Sequence, residues 1–370
     1  MKKEWYHIDE IDEIDSPALV VYRARVLENI STLISMIDDA ERLRPHVKTH
    51  KTKEATTLLI DAGISKFKCA TIAEAEMLGL AGAADVLLAY QPVGPKLKRF
   101  VELIKTFPST RFSCLMDNIF SAKNISVNAV ENKIQIPVYI DLNVGMNRTG
   151  IVPGNKAIEL YRYCKNLEGV EPVGLHVYDG HIRNTDFQQR CMECDRAFEP
   201  VLQMQFSLKE SGLPEPIIIA GGSPTFPVHA ARKNRECSPG TFIYWDKGYQ
   251  RSFEEQHFLT AALVVTRIIS LPSATTLCFD LGHKSIAAEN DPDNRVYFLN
   301  APELKFISQS EEHLVVEAPP HHTYKVGDVL YGLPVHICPT CALYERALIS
   351  ENNKITGEWK IIARDRKIRI

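Results

Sequence analysis

No apolar run in this 370-residue chain approaches the roughly 20 residues that a membrane-spanning helix needs, so no membrane span is expected. Neither sign of charge is in excess. Lys and Arg total 43 against 46 Asp and Glu, a net charge of −3, and nothing here draws the chain to nucleic acid or an anionic membrane. The opening "MKKEWYHIDEIDEID" has lysines but no apolar stretch behind them, so export is not expected and a cytoplasmic location is. Repeats and low-complexity segments are missing too. The nine cysteines, without a secretory context, read as reduced thiols rather than a disulfide framework. Cys191 and Cys194 form one C-x-x-C and Cys338 and Cys341 another, but the first lies in "DFQQRCMECDRAFEPVLQMQF", whose period is helical. Incidental packing is preferred there over a four-cysteine zinc site.

What is present is a recurrence of short β-rich runs: "LRPHVK" (43–48), "KFKCAT" (66–71), "DVLLAY" (85–90), "RFSCLM" (111–116), "PVYIDL" (137–142), "EPVGLHVY" (171–178), "PIIIAGG" (216–222) and "SPGTFIYW" (238–245). Between several of them lie segments with apolar residues at helical spacing, such as "TKEATTLLIDAGI" and "NKAIELYRYCKNLEG". Eight strand–helix units predict a closed (β/α)8 barrel over residues 1–250, with its chemistry at the C-terminal strand ends. After about residue 250 strands follow one another without helices, from "FLTAALVVTRIIS" to "WKIIARDRKIRI", which predicts a C-terminal β domain over 251–370. Residues 1–16 are a candidate addition to that domain.

Polar residues collect at the predicted strand ends. In "RLRPHVKTHKT", Lys48 ends the first strand, crowded by Arg44, His46 and Lys51. Like charges and desolvation there favour the neutral amine that attacks a carbonyl; a solvated basic patch is the competing reading. "AGGSPT" ends strand seven and "SPGT" lies on strand eight, where glycine turns let backbone N–H groups approach an anion and hydroxyls add donors. A phosphate there and a lysine from strand one together suggest pyridoxal phosphate. Arg148, in "DLNVGMNRTG", could hold an anionic oxygen or form a salt bridge. Tyr178 and His181, in "HVYDGH", offer a stacking ring and an acid–base group, or a satisfied polar strand end. His336 and Cys338 alternate in "LPVHICPTC", so an extended backbone would aim imidazole and thiolate the same way, a pair suited to zinc.

In this order "RPHVKTHK", "FKCATIAEAEML", "GMNRTG", "YDGH", "AGGSPTF", "PGTFIYWD" and "HICPT" resemble the fold-type III pyridoxal-phosphate enzymes, specifically the D-threonine aldolase and D-serine dehydratase family, over almost the whole chain. The resemblance implies an alanine-racemase-like barrel joined to a β domain and assembled as a head-to-tail homodimer. It puts Lys48 in the cofactor-lysine position, Arg148 by the cofactor's phenolic oxygen and Tyr178 by its ring. Gly222, Ser223, Gly240 and Thr241 would hold the phosphate, and His336 and Cys338 would bind a divalent metal, with zinc favoured and manganese or magnesium the alternatives. Alanine racemases carry Arg-Pro-Gly where this chain has Ser238-Pro239-Gly240, so their ring protonation does not carry over.

The family implies a D-amino acid substrate bearing a β-hydroxyl and two reactions on it. Retro-aldol cleavage gives glycine and an aldehyde; dehydration gives an oxo acid and ammonia. A metal at the hydroxyl assists both. His-x-Cys at 336–338 resembles the dehydratases, whereas "YDGH", "PTCALYE" and "FDLGHKS" resemble the aldolases. Aldol cleavage is placed first, with His181 as the base for the hydroxyl proton, and D-serine dehydratase activity second. Amino-acid racemisation and non-catalytic cofactor binding are the further alternatives.

Overall fold

The computed structural model describes residues 4–370 and divides into two compact units. One comprises residues 33–48, 53–240 and 365–370, the other 1–32, 49–52 and 241–364, of which 1–3 lie outside the described residues.

The first unit is the barrel. Its seven parallel strands, Lys66–Cys69, Asp85–Leu88, Arg111–Met116, Ile136–Leu142, Val170–Val177, Ile217–Ala220 and Arg235–Cys237, pair in sequence order. Helices lie between them, from Ile72–Ala81 to the long Phe187–Glu210 that carries Cys191 and Cys194. The eighth position is filled by residues 43–47. Leu43 pairs with Cys237 and His46 with Lys68, so this segment joins the last strand to the first and closes the ring. Pro45 has no N–H to give, and the segment makes only these two bridges, yet its carbonyl accepts from Lys68 and Val47 N–H donates to the Lys68 carbonyl.

The strand expected over 238–245 lies instead at Arg235–Cys237. Residues Thr241–Ile243 form a single tight turn, because Pro239 and Gly240 end the ladder first. Leu87, Leu115, Tyr139 and Ile219 fill the barrel interior. Near them Arg44, 1 % exposed, donates to Glu236 at 2.6 Å and Asp85 at 2.5 Å.

The second unit is a nine-stranded, mostly antiparallel sheet. Its centre is a strand that sequence reasoning did not identify, Ala18–Tyr22, which pairs antiparallel with Ala262–Ser270 and parallel with Arg346–Glu351. Val20, Tyr22, Leu263, Val265, Tyr331 and Leu333 pack with Ile8 and Ile14 on one face. The strand expected through "WKIIARDRKIRI" stops at Lys360. The last six residues cluster with the barrel, where Arg369 N–H donates to Glu76 and Arg99 to the Ile370 carbonyl.

Candidate active site

Each barrel residue singled out in the sequence lies at a C-terminal strand end or in the loop after it. Lys48 follows the closing segment, and its N–H donates to His46 Nδ1 at 3.2 Å. Arg148 follows Ile136–Leu142 and sets its guanidinium 4.6 Å from the Tyr178 ring centroid. On the same loop Gly145 has φ +124, and an added Cβ would lie 2.6 Å from His181 Nε2, so a glycine lets this loop and His181 meet.

The two glycine turns also meet. Gly240 N–H donates to Ser223 Oγ at 3.1 Å, and Gly222 N–H to Thr225 Oγ1 at 3.3 Å. Gly221, at φ +68, comes so close to Thr225 that a Cβ would sit 2.6 Å from its hydroxyl oxygen. Beside them the Ser238 hydroxyl is buried without a hydrogen-bond partner. Thr241 begins the second unit's longest segment, and its hydroxyl lies 3.6 Å from Cys338 Sγ.

Several residues of this site were not singled out in the sequence. Lys68, His176 and Asp141 form a buried chain: Lys68 Nζ is 3.5 Å from His176 Nε2, and His176 Nδ1 is 2.7 Å from Asp141. Burial, with Lys48 and Arg148 adding like charge, pulls the Lys68 pKa down to about 7 against Asp179 and Asp141. Burial likewise lowers the His176 pKa, which its bond to Asp141 only partly offsets. The crowding expected of Arg44, His46 and Lys51 therefore takes another form. Arg44 is committed to Glu236 and Asp85, Lys51 clusters with the other unit, and the cations that gather are Lys48, Lys68 and Arg148. The available signal was a charged residue inside an otherwise apolar barrel strand, as in "KFKC", "YIDL" and "GLHV".

A second buried group joins Asp179 to His229 at 2.7 Å, to Thr225 at 2.8 Å and to Cys194 at 3.8 Å. Burial works to raise the Asp179 pKa, but His229 and Thr225 outweigh it and hold the carboxylate charged. Asp179, Cys194 and His229 are a candidate metal-ligand triad, the one such group among the described residues. Arg235 Nη1 lies 3.2 Å from His229 Nδ1, on the ring's other side.

In the second unit the extended backbone expected through His336 and Cys338 ends at His336, φ −133° and ψ 102°, and Ile337–Leu343 is helical. The two side chains still hydrogen-bond to each other. Burial lowers the His336 pKa, but that bond and the negative charge of Cys338, Asp246 and Glu289 outweigh it and raise the value to about 9. Glu289 bonds to His336 Nδ1, and the Thr49 hydroxyl is 3.1 Å from Cys338 Sγ. Asp246, buried and pushed up to about 6 by that burial, accepts from the Tyr249 and Ile337 N–H groups.

The family described as "Alanine racemase, N-terminal domain" matches residues 21–247, more than half the chain, and "Putative serine dehydratase domain" matches 261–350. The chain belongs to the fold-type III pyridoxal-phosphate enzymes. Among relatives of this fold-type III enzyme, a D-threonine aldolase of Arthrobacter sp is 26% identical, covering 96% of this chain and 94% of that one. A 3-hydroxy-D-aspartate aldolase of Paracoccus denitrificans (strain Pd 1222) is 24% identical, covering 95% and 92%. The crystal structure of D-threonine aldolase from Filomicrobium marinum superposes with a TM-score of 0.88 at 24% identity, over 98% and 99% of the two chains. The fold-type III enzyme is thus an alanine-racemase-like barrel with a separate β-rich domain. No helix among its described residues is long and apolar enough to cross a membrane.

The barrel residues fit pyridoxal phosphate. Basic groups, Lys48, Lys68 and Arg148, gather at the strand ends, as an anionic cofactor requires, and the buried Ser238 hydroxyl beside the glycine turns has no partner and is free to donate to a phosphate.

Proposed function

We propose that this chain is a pyridoxal-phosphate- and divalent-metal-dependent lyase that cleaves D-3-hydroxy-amino acids to glycine and an aldehyde. The observation that carries the reading is similarity to D-threonine aldolase along both units rather than the barrel alone. The long match through the β domain also disfavours a cofactor carrier, which needs no second domain.

In this reading Lys48 holds the cofactor covalently through Nζ, Arg148 meets its phenolic oxygen, and Tyr178 borders its ring. Gly222, Ser223, Gly240 and Thr241 hold its phosphate. When bound, the cofactor withdraws electrons from the substrate α-carbon, and the metal acidifies the β-hydroxyl. His181 takes the hydroxyl proton; it lies in the turn that follows Val170–Val177, three residues beyond Tyr178, and is exposed.

Two ligand sets compete for the metal, and we assign it to His336 and Cys338. Imidazole and thiolate suit zinc over manganese or magnesium. At Asp179, Cys194 and His229 the Arg235 guanidinium donates to His229 Nδ1, which turns the ring's Nε2–H toward Asp179 and leaves no lone pair for a cation. Burial also keeps the Cys194 thiol protonated. A head-to-tail homodimer in the cytoplasm completes the proposal.

Dehydration remains the second reading, favoured by the thiolate at Cys338 and the match over 261–350. Purified holoenzyme given D-threonine with zinc or manganese distinguishes them. Glycine plus acetaldehyde is expected; 2-oxobutyrate plus ammonia transfers the chain to the dehydratases, and no turnover with either metal sinks the lyase reading. His336→Ala should lose zinc while His229→Ala keeps it, and the reverse moves the metal to the buried triad.

A further inference from the structure

Asp179, Thr225 and His229 have no part in the lyase reading, yet Asp179 and His229 are 0 % exposed and Thr225 1 %. A carboxylate at that depth needs partners, and both of its oxygens have one. Oδ1 accepts from the Thr225 hydroxyl at 2.8 Å and Oδ2 from His229 Nε2 at 2.7 Å. Because a carboxylate only accepts, every direction in the group is fixed. The Thr225 proton goes to Asp179, which leaves the Thr225 oxygen to accept from Gly222 N–H at 3.3 Å. Arg235 holds the far side of His229 at Nδ1, and Phe198 packs on the ring with centroids 4.5 Å apart.

Thr225 departs from the usual task of a threonine in its position. It is the N-cap residue of the short helix Phe226–Ala230, where the hydroxyl ordinarily accepts from an N–H of the first turn, but it makes no such bond. The hydroxyl is turned instead to Asp179 and the glycine turn. That turn rests on the same group at two further points. A Cβ on Gly221 would lie 2.7 Å from His229 Cδ2, and one on Gly222 3.2 Å from the Tyr178 ring. The Asp179 carbonyl also accepts from Ile182 N–H at 2.9 Å, closing the turn that contains His181.

We infer that Asp179 is a positioning residue for the phosphate turn. Its carboxylate sets the direction of the Thr225 hydroxyl, and Thr225 holds the Gly222 peptide, so residues 221–223 keep their shape before the cofactor arrives. Two consecutive glycines are otherwise pliable backbone, and ordering them as the phosphate binds would weaken its hold. Asp179 acts through Thr225 and Gly222 and need touch no cofactor atom. An asparagine in its place could accept from Thr225 or from His229 but not from both. The inference rests on the assignment of the glycine turns to the phosphate, and the test separates the two.

Apo-protein is titrated with pyridoxal phosphate and with pyridoxal, which has the same ring and aldehyde but no phosphate, and affinity is read from absorbance. Asp179→Asn should bind pyridoxal phosphate about 10-fold or more weakly, the size of one hydrogen bond to a charged group, with pyridoxal affinity unchanged. Thr225→Val, of the same shape without the hydroxyl, should copy it, and Thr225→Ser should restore wild-type binding. Asp179→Asn with Thr225→Val should be no weaker than the worse single change, since both act through one hydroxyl. Equal losses of the two ligands in Asp179→Asn overturn the inference, because a residue that merely supports the barrel would weaken both. Wild-type affinity for pyridoxal phosphate in Asp179→Asn or Thr225→Val overturns it as well. If thermal unfolding shows that Asp179→Asn does not fold, Thr225→Val and Thr225→Ser decide by the same criteria. Wild type that binds both ligands equally would instead remove the phosphate from the glycine turns.

Discussion

At the scale of single residues, the site consists of side chains that the motifs name and side chains that only the fold brings to them. Lys48, Arg148, Tyr178 and His181 could be proposed from the sequence because each lies in a polar or glycine-marked stretch at a strand end. Lys68, His176 and Asp141 gave only a weak signal, a polar residue inside an otherwise apolar strand, because a strand buried on both faces has no alternation to show which way that residue points. His181 carries the sharpest residue-level prediction. Under aldol cleavage His181→Ala should lower D-threonine turnover about 10²-fold or more, the usual range for a positioned base. Cofactor absorbance should stay as in wild type. If turnover with saturating metal is unchanged, this histidine leaves the mechanism. Dehydration, in which a lysine can take the α-proton, predicts a weaker effect of the same substitution.

At the scale of elements, the basic stretch around Lys48 divides its charge between two ends of one short segment. The charge run in "RLRPHVK" could be read either as a solvated face or as a crowd around Lys48, and at Arg44 it is neither. Burial lowers the Arg44 pKa, but Glu236 and Asp85 outweigh it and keep the guanidinium charged. Glu236 is also held by Lys66 at 2.8 Å, so this ion cluster fastens the closing segment to strands at both sides of the ring. Sequence periodicity could not reveal this, because the partners lie 41 and 192 residues away. Arg44→Met should cost about 3–5 kcal/mol in urea unfolding, the range for stripping one partner from a buried charge. Arg44→Met with Glu236→Gln should cost less than the two single changes summed, since the second removes the carboxylate that the first strands. Strict additivity would mean that the two groups do not interact.

At the scale of the whole molecule, the (β/α)8 barrel and the β-rich character of the C-terminal region were legible from strand–helix alternation and its loss after residue 250. The membership of the β-rich unit was less legible, because its central strand comes from the opposite end of the chain. "ALVVY", at 18–22, is a short apolar run that periodicity cannot assign to a layer. Its place depends on non-local pairing: Val20 lies opposite Leu263 on one side and Leu348 on the other. All of Leu19 to Tyr22 is buried there. Without this strand, Ala262–Ser270 and Arg346–Glu351 would each expose an apolar, unpaired edge toward the gap, the arrangement most prone to aggregation. Residues 251–370 expressed alone should therefore be insoluble or lack cooperative unfolding. A peptide spanning residues 1–32, added during refolding, should restore β-sheet circular dichroism and a cooperative transition. The same peptide with Val20→Asp should not, because it would bury a carboxylate between two apolar neighbours. A folded, monomeric 251–370 fragment would show that the sheet closes its own gap and that the N-terminal strand is dispensable.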